Sequence, residues 1–245
     1  MLCLLLAGFA PAYAADSGHS FAPGYRFQLK DLPQHAWNDI KYSLWGWNGV
    51  GFALGMGATA AFLPLDDSVT DKLASHPLFG KKTDDVIGTV FSPYTFAGAS
   101  FLTFLISNKS QNSKLTLAME SSGESLVFAM VLAEAGKLAL RRQRPNGENY
   151  SFPSAHSAAA FSTAAVLTEF YGLPVAIPSY AVASIVAVSR LDSNVHHLTD
   201  VLAGAVIGTA VGVGTSLAHK HEHADFLFLP QVSSNEAGVV FYKNF

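Results

Sequence analysis

The sequence has few charged residues and a single cysteine. Asp, Glu, Lys and Arg make up 13% of its 245 residues, against about 25% in an average soluble domain. The net charge of −3 is small, so the composition gives no support for a nucleic-acid partner. Cys3 is the only cysteine, which excludes an internal disulfide. Hydrophobic residues reach 50%, a content typical of a membrane protein or of a very apolar helical protein.

The N-terminal segment "MLCLLLAGFAPAYAA" lacks the basic residues that often open an export signal. It nevertheless has a short apolar core followed by Ala12-Tyr13-Ala14, the small-x-small pattern of a cleavage site. The stretch is too short to span a bilayer well. We therefore predict a signal peptide over residues 1–14 and an exported N-terminal arm over 15–41. An uncleaved apolar anchor is the alternative.

Long stretches without charge follow the arm. Four windows contain no Asp, Glu, Lys or Arg: 42–65, 86–108, 170–189 and 201–218. The first two are long enough to cross a hydrocarbon core of about 30 Å. Residues 115–140 are apolar but carry Glu120, Glu124 and Glu134, which indicates a helix buried in protein rather than one facing lipid all round.

The pattern as a whole predicts an all-α fold. We expect a membrane-associated bundle of about six helices over residues 42–220, including an alanine-rich helix over 155–171 and another that starts near Pro178. No repeat of 20–50 residues is apparent. In the tail, residues 221–245, two apolar stretches flank "SSNEA", a pattern that suits a β-hairpin or a docking tail.

The motif "KLALRRQRP" places two cations on one helix face. Lys137 and Arg144 are seven residues apart, or two helical turns, and Pro145 discourages further helix. Two cations at a helix end suit an anionic ligand. The alternative is an ordinary basic C-terminal turn.

The motif "PSAHS" stands at the start of the alanine-rich helix. Ser154 is suited to cap that helix, and the free N–H groups of the first turn form an anion site. His156 would point into the same space. A capping serine beside an incidental histidine is the alternative.

The motif "SRLDSNVHHLTD" holds a third group of polar residues. His196 and Asp200 are four apart, so they are neighbours if 196–200 is helical. A carboxylate beside imidazole fixes its tautomer, and Arg190 would bring a forked cation suited to phosphate oxygens. His197 is a weaker rival to His196. A polar loop between two membrane helices is the alternative.

The three motifs in this order and spacing are far more specific than any one of them. The combination Lys-x6-Arg-Pro, Pro-Ser-x-His and Ser-Arg-x5-His-x3-Asp resembles the type 2 phosphatidic acid phosphatase family. That superfamily also contains bacterial class A acid phosphatases and vanadium haloperoxidases. The resemblance covers Lys137 to Asp200. Ala155 stands where the family usually has glycine, but its backbone N–H remains available.

The resemblance implies a role for each motif residue. His196 would be the nucleophile that forms a phosphohistidine, Asp200 would orient it, and His156 would be the general acid and base. The phosphate oxygens would be bound by Lys137, Arg144, Ser154, the backbone of Ala155, and Arg190. The similar enzymes need no metal or other cofactor, and we expect none here.

The expected function is a metal-independent phosphatase that hydrolyses a phosphate monoester or pyrophosphate, with a phosphorylated membrane lipid as its partner. The alternatives are a periplasmic acid phosphatase with a soluble substrate, a vanadium haloperoxidase, and a non-catalytic membrane protein. We expect the protein to lie in the cell envelope, with the active site on the periplasmic side, and predict no protein or nucleic-acid partner.

One difficulty is the membrane topology. Three crossings at 42–65, 86–108 and 115–140 would put the motifs on the opposite side from an exported N-terminal arm.

Overall fold

The computed structural model describes residues 32–110, 112–223, 226–232 and 237–243. The predicted signal peptide and residues 15–31 of the predicted arm lie outside the described residues. In chain order the helices are α1 (Leu32–Leu44), α2 (Gly46–Ala60), α3 (Asp66–Ser75), α4 (Lys81–Val90), α5 (Pro93–Lys109), α6 (Ser113–Leu140), α7 (Ala155–Tyr171), α8 (Leu173–Asp192) and α9 (Leu198–His223). A 3-10 helix covers Leu63–Leu65, and strands β1 (Phe226–Val232) and β2 (Ala237–Lys243) follow α9.

The predicted all-α architecture is confirmed. Within the described part of the chain, six helices are at least 15 residues long: α2, α5, α6, α7, α8 and α9. The tail adds an antiparallel pair in which β1 runs from Phe226, opposite Lys243, to Val232, opposite Ala237.

Two of the charge-free windows are broken rather than continuous helices. In window 42–65 the break falls at Gly46, whose φ of 61° lies in the left-handed region that glycine adopts readily. In window 86–108 it falls at Pro93, which opens α5 while the Ser92 hydroxyl accepts the N–H of Thr95. Proline suits a first helical turn because it has no N–H to leave unpaired.

The start predicted near Pro178 is wrong by five residues. Helix α8 begins at Leu173, directly after Gly172, and Pro178 lies inside it. Pro174 occupies the first turn and takes the role that the sequence analysis gave to Pro178. Pro178 sits only one turn later, where the missing N–H costs a single helical hydrogen bond.

Five helical segments are long and apolar enough to cross a membrane, judged by length and composition over the described residues. They are Gly46–Ser75, Lys81–Lys109, Ser113–Leu140, Leu173–Asp192 and Leu198–His221. The buried fraction of each segment shows which helices lie at the centre of the bundle. The apolar window of the last segment is 94% buried, that of Ser113–Leu140 is 56% buried, and that of Lys81–Lys109 is 6% buried. Helix α9 is therefore central, and α6 is half enclosed by protein, as its glutamates predicted.

Helix α7 packs directly on α9 through backbone contact. Gly204, Gly208 and Gly212 are spaced by four residues and so form one face of α9. A Cβ atom on Gly208 would lie 2.2 Å from the carbonyl oxygen of Ala158, and one on Gly212 would lie 2.5 Å from that of Ser162. Only glycine permits this distance, so the two helix axes approach closely.

The helix directions fix which end of the bundle holds the motifs. The Asn48 amide at the start of α2 donates to the Ala210 carbonyl, in the middle of α9. Asp66, beyond the end of α2, contacts Thr199 in the first turn of α9. Helix α1 lies along the other half of α9, with His35 beside His219. Helix α5 then runs back along α6, with Ser100 bonded to Ser122. The chain thus traverses the bundle three times before Leu140, first by α1 and α2 together, then by α5, and then by α6.

The α7–α9 contact generates the first prediction. We expect Gly208→Ala to destabilise the protein by about 1–3 kcal/mol, because the added methyl group forces the helix backbones apart. The matched control is Gly98→Ala on α5, where a Cβ would meet nothing within 4 Å. Thermal unfolding in detergent checks this. Equal Tm values for the two variants would show that the close approach is not required.

Candidate active site

The three sequence motifs meet at one end of the bundle. The first ends α6, the second opens α7, and the third connects α8 to α9. The backbone N–H of Ser154 donates to the backbone carbonyl of Asp200 at 2.9 Å, which joins the start of α7 to the start of α9. The fold therefore brings the predicted residues together although 63 positions separate Lys137 from Asp200 in the sequence.

His196 and Asp200 are neighbours, as their spacing predicted, but not because both lie on a helix. Helix α9 begins at Leu198, so His196 lies in the preceding turn. Its Nδ1 is 3.7 Å from Oδ2 of Asp200. Both side chains are buried, at 5% and 0% exposure. Since Nδ1 faces the carboxylate, Nε2 is the nitrogen available for attack.

The carboxylate of Asp200 is held by groups that the sequence analysis did not identify. Its Oδ2 accepts from the hydroxyl of Ser151 and from the backbone N–H of His197, the latter at 2.8 Å. Its Oδ1 accepts from the Arg142 guanidinium at 2.9 Å. A carboxylate with donors on both oxygens is fixed in rotation and stabilised in its charged form.

Arg142 is in turn fixed by Asp66. The guanidinium donates to Oδ2 of Asp66 at 2.7 Å. Asp66 also accepts from the backbone N–H of Thr199 at 2.8 Å and from its hydroxyl at 2.6 Å. Arg142 belongs to the same basic motif as Lys137. Asp66, however, is 76 residues away from Arg142, and no local pattern could have paired them.

Helix α4 lies over the site. The imidazole Nε2 of His156 donates to the Gly88 carbonyl at 3.1 Å, and the Arg190 guanidinium donates to the Asp84 carbonyl at 2.8 Å. A Cβ on Gly88 would lie 2.5 Å from the Arg190 guanidinium nitrogens, so a side chain at this position would displace the guanidinium. Two backbone carbonyls thus occupy positions where phosphate oxygens would accept hydrogen bonds.

The two site histidines have lowered pKa values. Burial, followed by the positive charge of Arg190, lowers the pKa of His156 to about 4. Burial also lowers the pKa of His196, although the carboxylate of Asp200 opposes this change. Both imidazoles are therefore neutral at pH 7 in the empty site. Neutral His196 is competent as a nucleophile, and a bound phosphate dianion would favour the protonated form of His156.

The cations of the first motif are paired with acids at the surface. Nζ of Lys137 lies 2.6 Å from Glu134, and the guanidinium of Arg144 lies 2.7 Å from Glu148. Both glutamates are more than half exposed, so an incoming phosphate competes with weak pairs. Lys137 acts electrostatically on His156, and Arg144 on His196, which places both cations near the histidines.

Ser154 is the N-cap of α7, as predicted. Its hydroxyl oxygen accepts from the N–H of Ser157 at 3.4 Å and from the Ser157 hydroxyl at 3.1 Å. The side chain is fully buried. Ala155 is the first helical residue, a position that alanine tolerates without strain. Its replacement of glycine is therefore compatible with the same loop-to-helix geometry.

The comparison with known families agrees with the geometry. The family model of the PAP2 superfamily matches residues 118–223, a range that includes every predicted site residue. This match confirms the resemblance to the type 2 phosphatidic acid phosphatase family seen in the motifs.

One curated relative is similar over only part of its length. The chain is 38% identical over 100 residues to the lipid A 1-phosphatase of Porphyromonas gingivalis, a match that covers 39% of this chain and 22% of that relative. Less than a quarter of the relative's length is thus matched.

Two solved structures have the same fold. One is Aquifex aeolicus LpxE, with a TM-score of 0.50 and 21% identity over 62% of this chain and 94% of that chain. The other is a transmembrane PAP2-type phosphatidylglycerolphosphate phosphatase from Bacillus subtilis, with a TM-score of 0.50 and 18% identity over 76% and 96%. With its five candidate spans, the chain is a membrane-associated protein.

The Asp66–Arg142–Asp200 network generates a second prediction. We expect Asp66→Asn to lower kcat by at least about tenfold with KM little changed, because Arg142 and then Asp200 lose their fixed positions. The control is Asp67→Asn, an exposed neighbour on the same helix. Steady-state kinetics on folded variants checks the split. A rise in KM alone, or equal kcat in both variants, would contradict a positioning role.

Proposed function

We propose that this protein is a phosphatase that removes phosphate from a membrane lipid through a covalent intermediate on His196. The observation that carries the proposal is the buried His196–Asp200 pair, 3.7 Å apart, beside the N-terminus of α7. Arg190, Lys137 and Arg144 supply positive charge around it. Fixed cations and helix N–H groups stabilise the charge on the three equatorial oxygens of a transferring phosphoryl group.

In the first step, Nε2 of His196 attacks phosphorus and the bond to the lipid oxygen breaks. His156, protonated in the complex, gives its proton to the leaving oxygen. Asp200 stabilises the positive charge that develops on His196. In the second step, water attacks the phosphohistidine, neutral His156 takes the water's proton, and inorganic phosphate leaves. His156 is thus the acid in the first step and the base in the second, while His196 is first the nucleophile and then the leaving group. The different environments of the two rings suit these different roles.

Binding of a phosphate would replace the contacts that α4 makes now. The carbonyls of Asp84 and Gly88 accept the hydrogen bonds of Arg190 and His156. Phosphate oxygens are stronger acceptors because they are charged. We therefore propose that substrate enters beside α4 and displaces these two carbonyls.

A lipid substrate is supported by the surroundings of the site. Val86 and Val90 on α4, and Leu78 and Phe79 before it, are exposed apolar side chains at the same end of the bundle. They would contact acyl chains while the headgroup reaches the cations. The names of the similar proteins, a lipid A 1-phosphatase and a phosphatidylglycerolphosphate phosphatase, suggest phosphorylated lipids of that kind as first substrates to assay.

We further propose that the site faces the periplasm. Three traverses separate it from the N-terminal end of α1, so a periplasmic site requires that this end of α1 lie at the cytoplasmic side. This arrangement is incompatible with the exported N-terminal arm if α2, α5 and α6 each cross fully. We prefer the periplasmic site because the resemblance to the type 2 phosphatidic acid phosphatase family implies an exported active site.

The nucleophile is tested by paired histidine variants. We expect His196→Ala to abolish phosphate release, because the proposed phosphohistidine cannot then form, and Asp200→Asn to leave a trace. The control is His197→Ala, since His197 contacts Asp200 through its backbone N–H, which alanine keeps, and its imidazole bonds to the exposed Gln143 carbonyl. Released phosphate is measured on purified protein with lipid A, phosphatidylglycerolphosphate and phosphatidic acid in mixed micelles.

Near-normal turnover by His196→Ala would overturn the assignment of the nucleophile. Activity on a water-soluble phosphate ester equal to that on lipids would favour a soluble-substrate phosphatase and overturn the lipid proposal while retaining the chemistry.

Orientation is tested by labelling engineered thiols in spheroplasts. In a Cys3→Ser background we expect Ser75→Cys, exposed at the site end, to react with a membrane-impermeant maleimide. Gln34→Cys, exposed on α1, should react only after the membrane is permeabilised. The reverse pattern would place the site in the cytoplasm.

A further inference from the structure

A second cluster of buried ionisable side chains lies at the end of the bundle opposite the phosphatase motifs. It contains His35 of α1, Glu124 of α6 and His219 of α9, whose ligand atoms all lie within 4.8 Å of one another. Nε2 of His219 is 2.9 Å from Oε2 of Glu124. Nδ1 of His35 is 3.6 Å from Oε1 of the same carboxylate. The carboxylate therefore sits between the two imidazoles.

The cluster is far from the catalytic residues. Glu124 precedes Lys137 by 13 residues on α6, or about 20 Å at the rise of an α-helix. His219 follows Asp200 by 19 residues on α9, or about 28 Å. Neither the phosphatase motifs nor the proposed mechanism uses any of its members.

Burial makes the charge of this cluster costly. His219 is 1% exposed and His35 is 6% exposed, while the Glu124 side chain is 17% exposed. Two further buried carboxylates belong to the same region. Glu120 has Oε1 at 3.9 Å from Nδ1 of His35, and Asp39 lies one turn after His35 on α1. Charged groups are costly to bury unless they are paired or bound to a metal.

The geometry suits a metal ion. Zinc binds imidazole nitrogen and carboxylate oxygen at about 2.0–2.2 Å, so two ligand atoms of a tetrahedral site are roughly 3.3–3.5 Å apart. The distances of 2.9 and 3.6 Å to the Glu124 carboxylate bracket this range. The ligand atoms, which lie within 4.8 Å of one another, would move closer together by side-chain rotation to bind the ion. Two imidazoles and one carboxylate form a known zinc donor set, which leaves the fourth position for Glu120 or water.

We propose that His35, Glu124 and His219 bind a divalent transition-metal ion, best matched by Zn²⁺, and that this ion fixes α1 to α6 and α9. The ion would neutralise the Glu124 carboxylate and link three helices that are distant in sequence. Because a bound metal favours the folded state that creates its site, it stabilises the bundle. No metal site was expected from the sequence, because the ligands are 89 and 95 residues apart and form no local motif.

The test measures zinc in the full chain, purified in detergent with a tag that contains no histidine. After incubation with ZnCl₂ and exhaustive dialysis, we expect about one zinc per chain by elemental analysis. His219→Gln and Glu124→Gln should retain at least about fivefold less. The control is His76→Gln, an exposed histidine outside the cluster, which should retain zinc like the unchanged protein.

Two further readouts separate binding from folding. Co²⁺ substituted for zinc should give the visible absorption of a tetrahedral site, and this absorption should be absent in Glu124→Gln. Zinc should also raise the Tm of the unchanged protein and of His76→Gln but not of the cluster variants. Glu124→Gln keeps the shape of the side chain, so it tests the proposal even if His219→Gln does not fold.

The proposal is overturned if the unchanged protein retains no zinc and its Tm does not respond to the ion. It is equally overturned if the cluster variants retain as much zinc as His76→Gln. The result is independent of the phosphatase assay, since this cluster lies away from His196. Full phosphatase activity in folded Glu124→Gln would accord with that separation, and loss of activity would contradict it.

Discussion

The contact between α7 and α9 is the interaction on which the rest of the structure depends. Glycines on α9 allow its backbone to touch that of α7, with a Cβ on Gly208 excluded by a carbonyl 2.2 Å away. The same contact ends in the 2.9 Å hydrogen bond from Ser154 to Asp200. Because both helices begin there, their free N–H groups and the side chains His156 and His196 converge on one small volume. Small residues in the centre of the bundle thus serve the chemistry at its end.

The charged side chains of the site are held by hydrogen bonds and ion pairs. Asp200 is fully buried, yet both of its oxygens accept hydrogen bonds, and its partner Arg142 is fixed by Asp66. A carboxylate held in this way keeps its position beside His196, the proposed nucleophile. Lys137 and Arg144 are held differently, because each pairs with an exposed glutamate. In the proposed mechanism, the rigid Asp200 orients His196, and the two loosely held cations receive the phosphate.

Local signals in the sequence predicted much of this arrangement. The helix over 155–171 and the capping role of Ser154 follow from alanine content and from hydroxyl chemistry, which act within a few residues. The predicted helix start at Pro178 failed because Pro174 offered an equivalent first turn, and no local rule chooses between two prolines four residues apart. Asp66 and the His35–Glu124–His219 cluster could not be predicted, since their partners come from other helices and only packing brings them together.

The central claim is that phosphate passes through His196, and the stereochemical course at phosphorus tests it most directly. A thiophosphate ester made chiral at phosphorus with sulfur and two oxygen isotopes is hydrolysed by the unchanged protein in water that carries the third oxygen isotope, and the configuration of the released thiophosphate is determined. Two successive in-line displacements, first by His196 and then by water, invert phosphorus twice. The account therefore predicts net retention, and net inversion would show that water attacks the substrate directly and would contradict it.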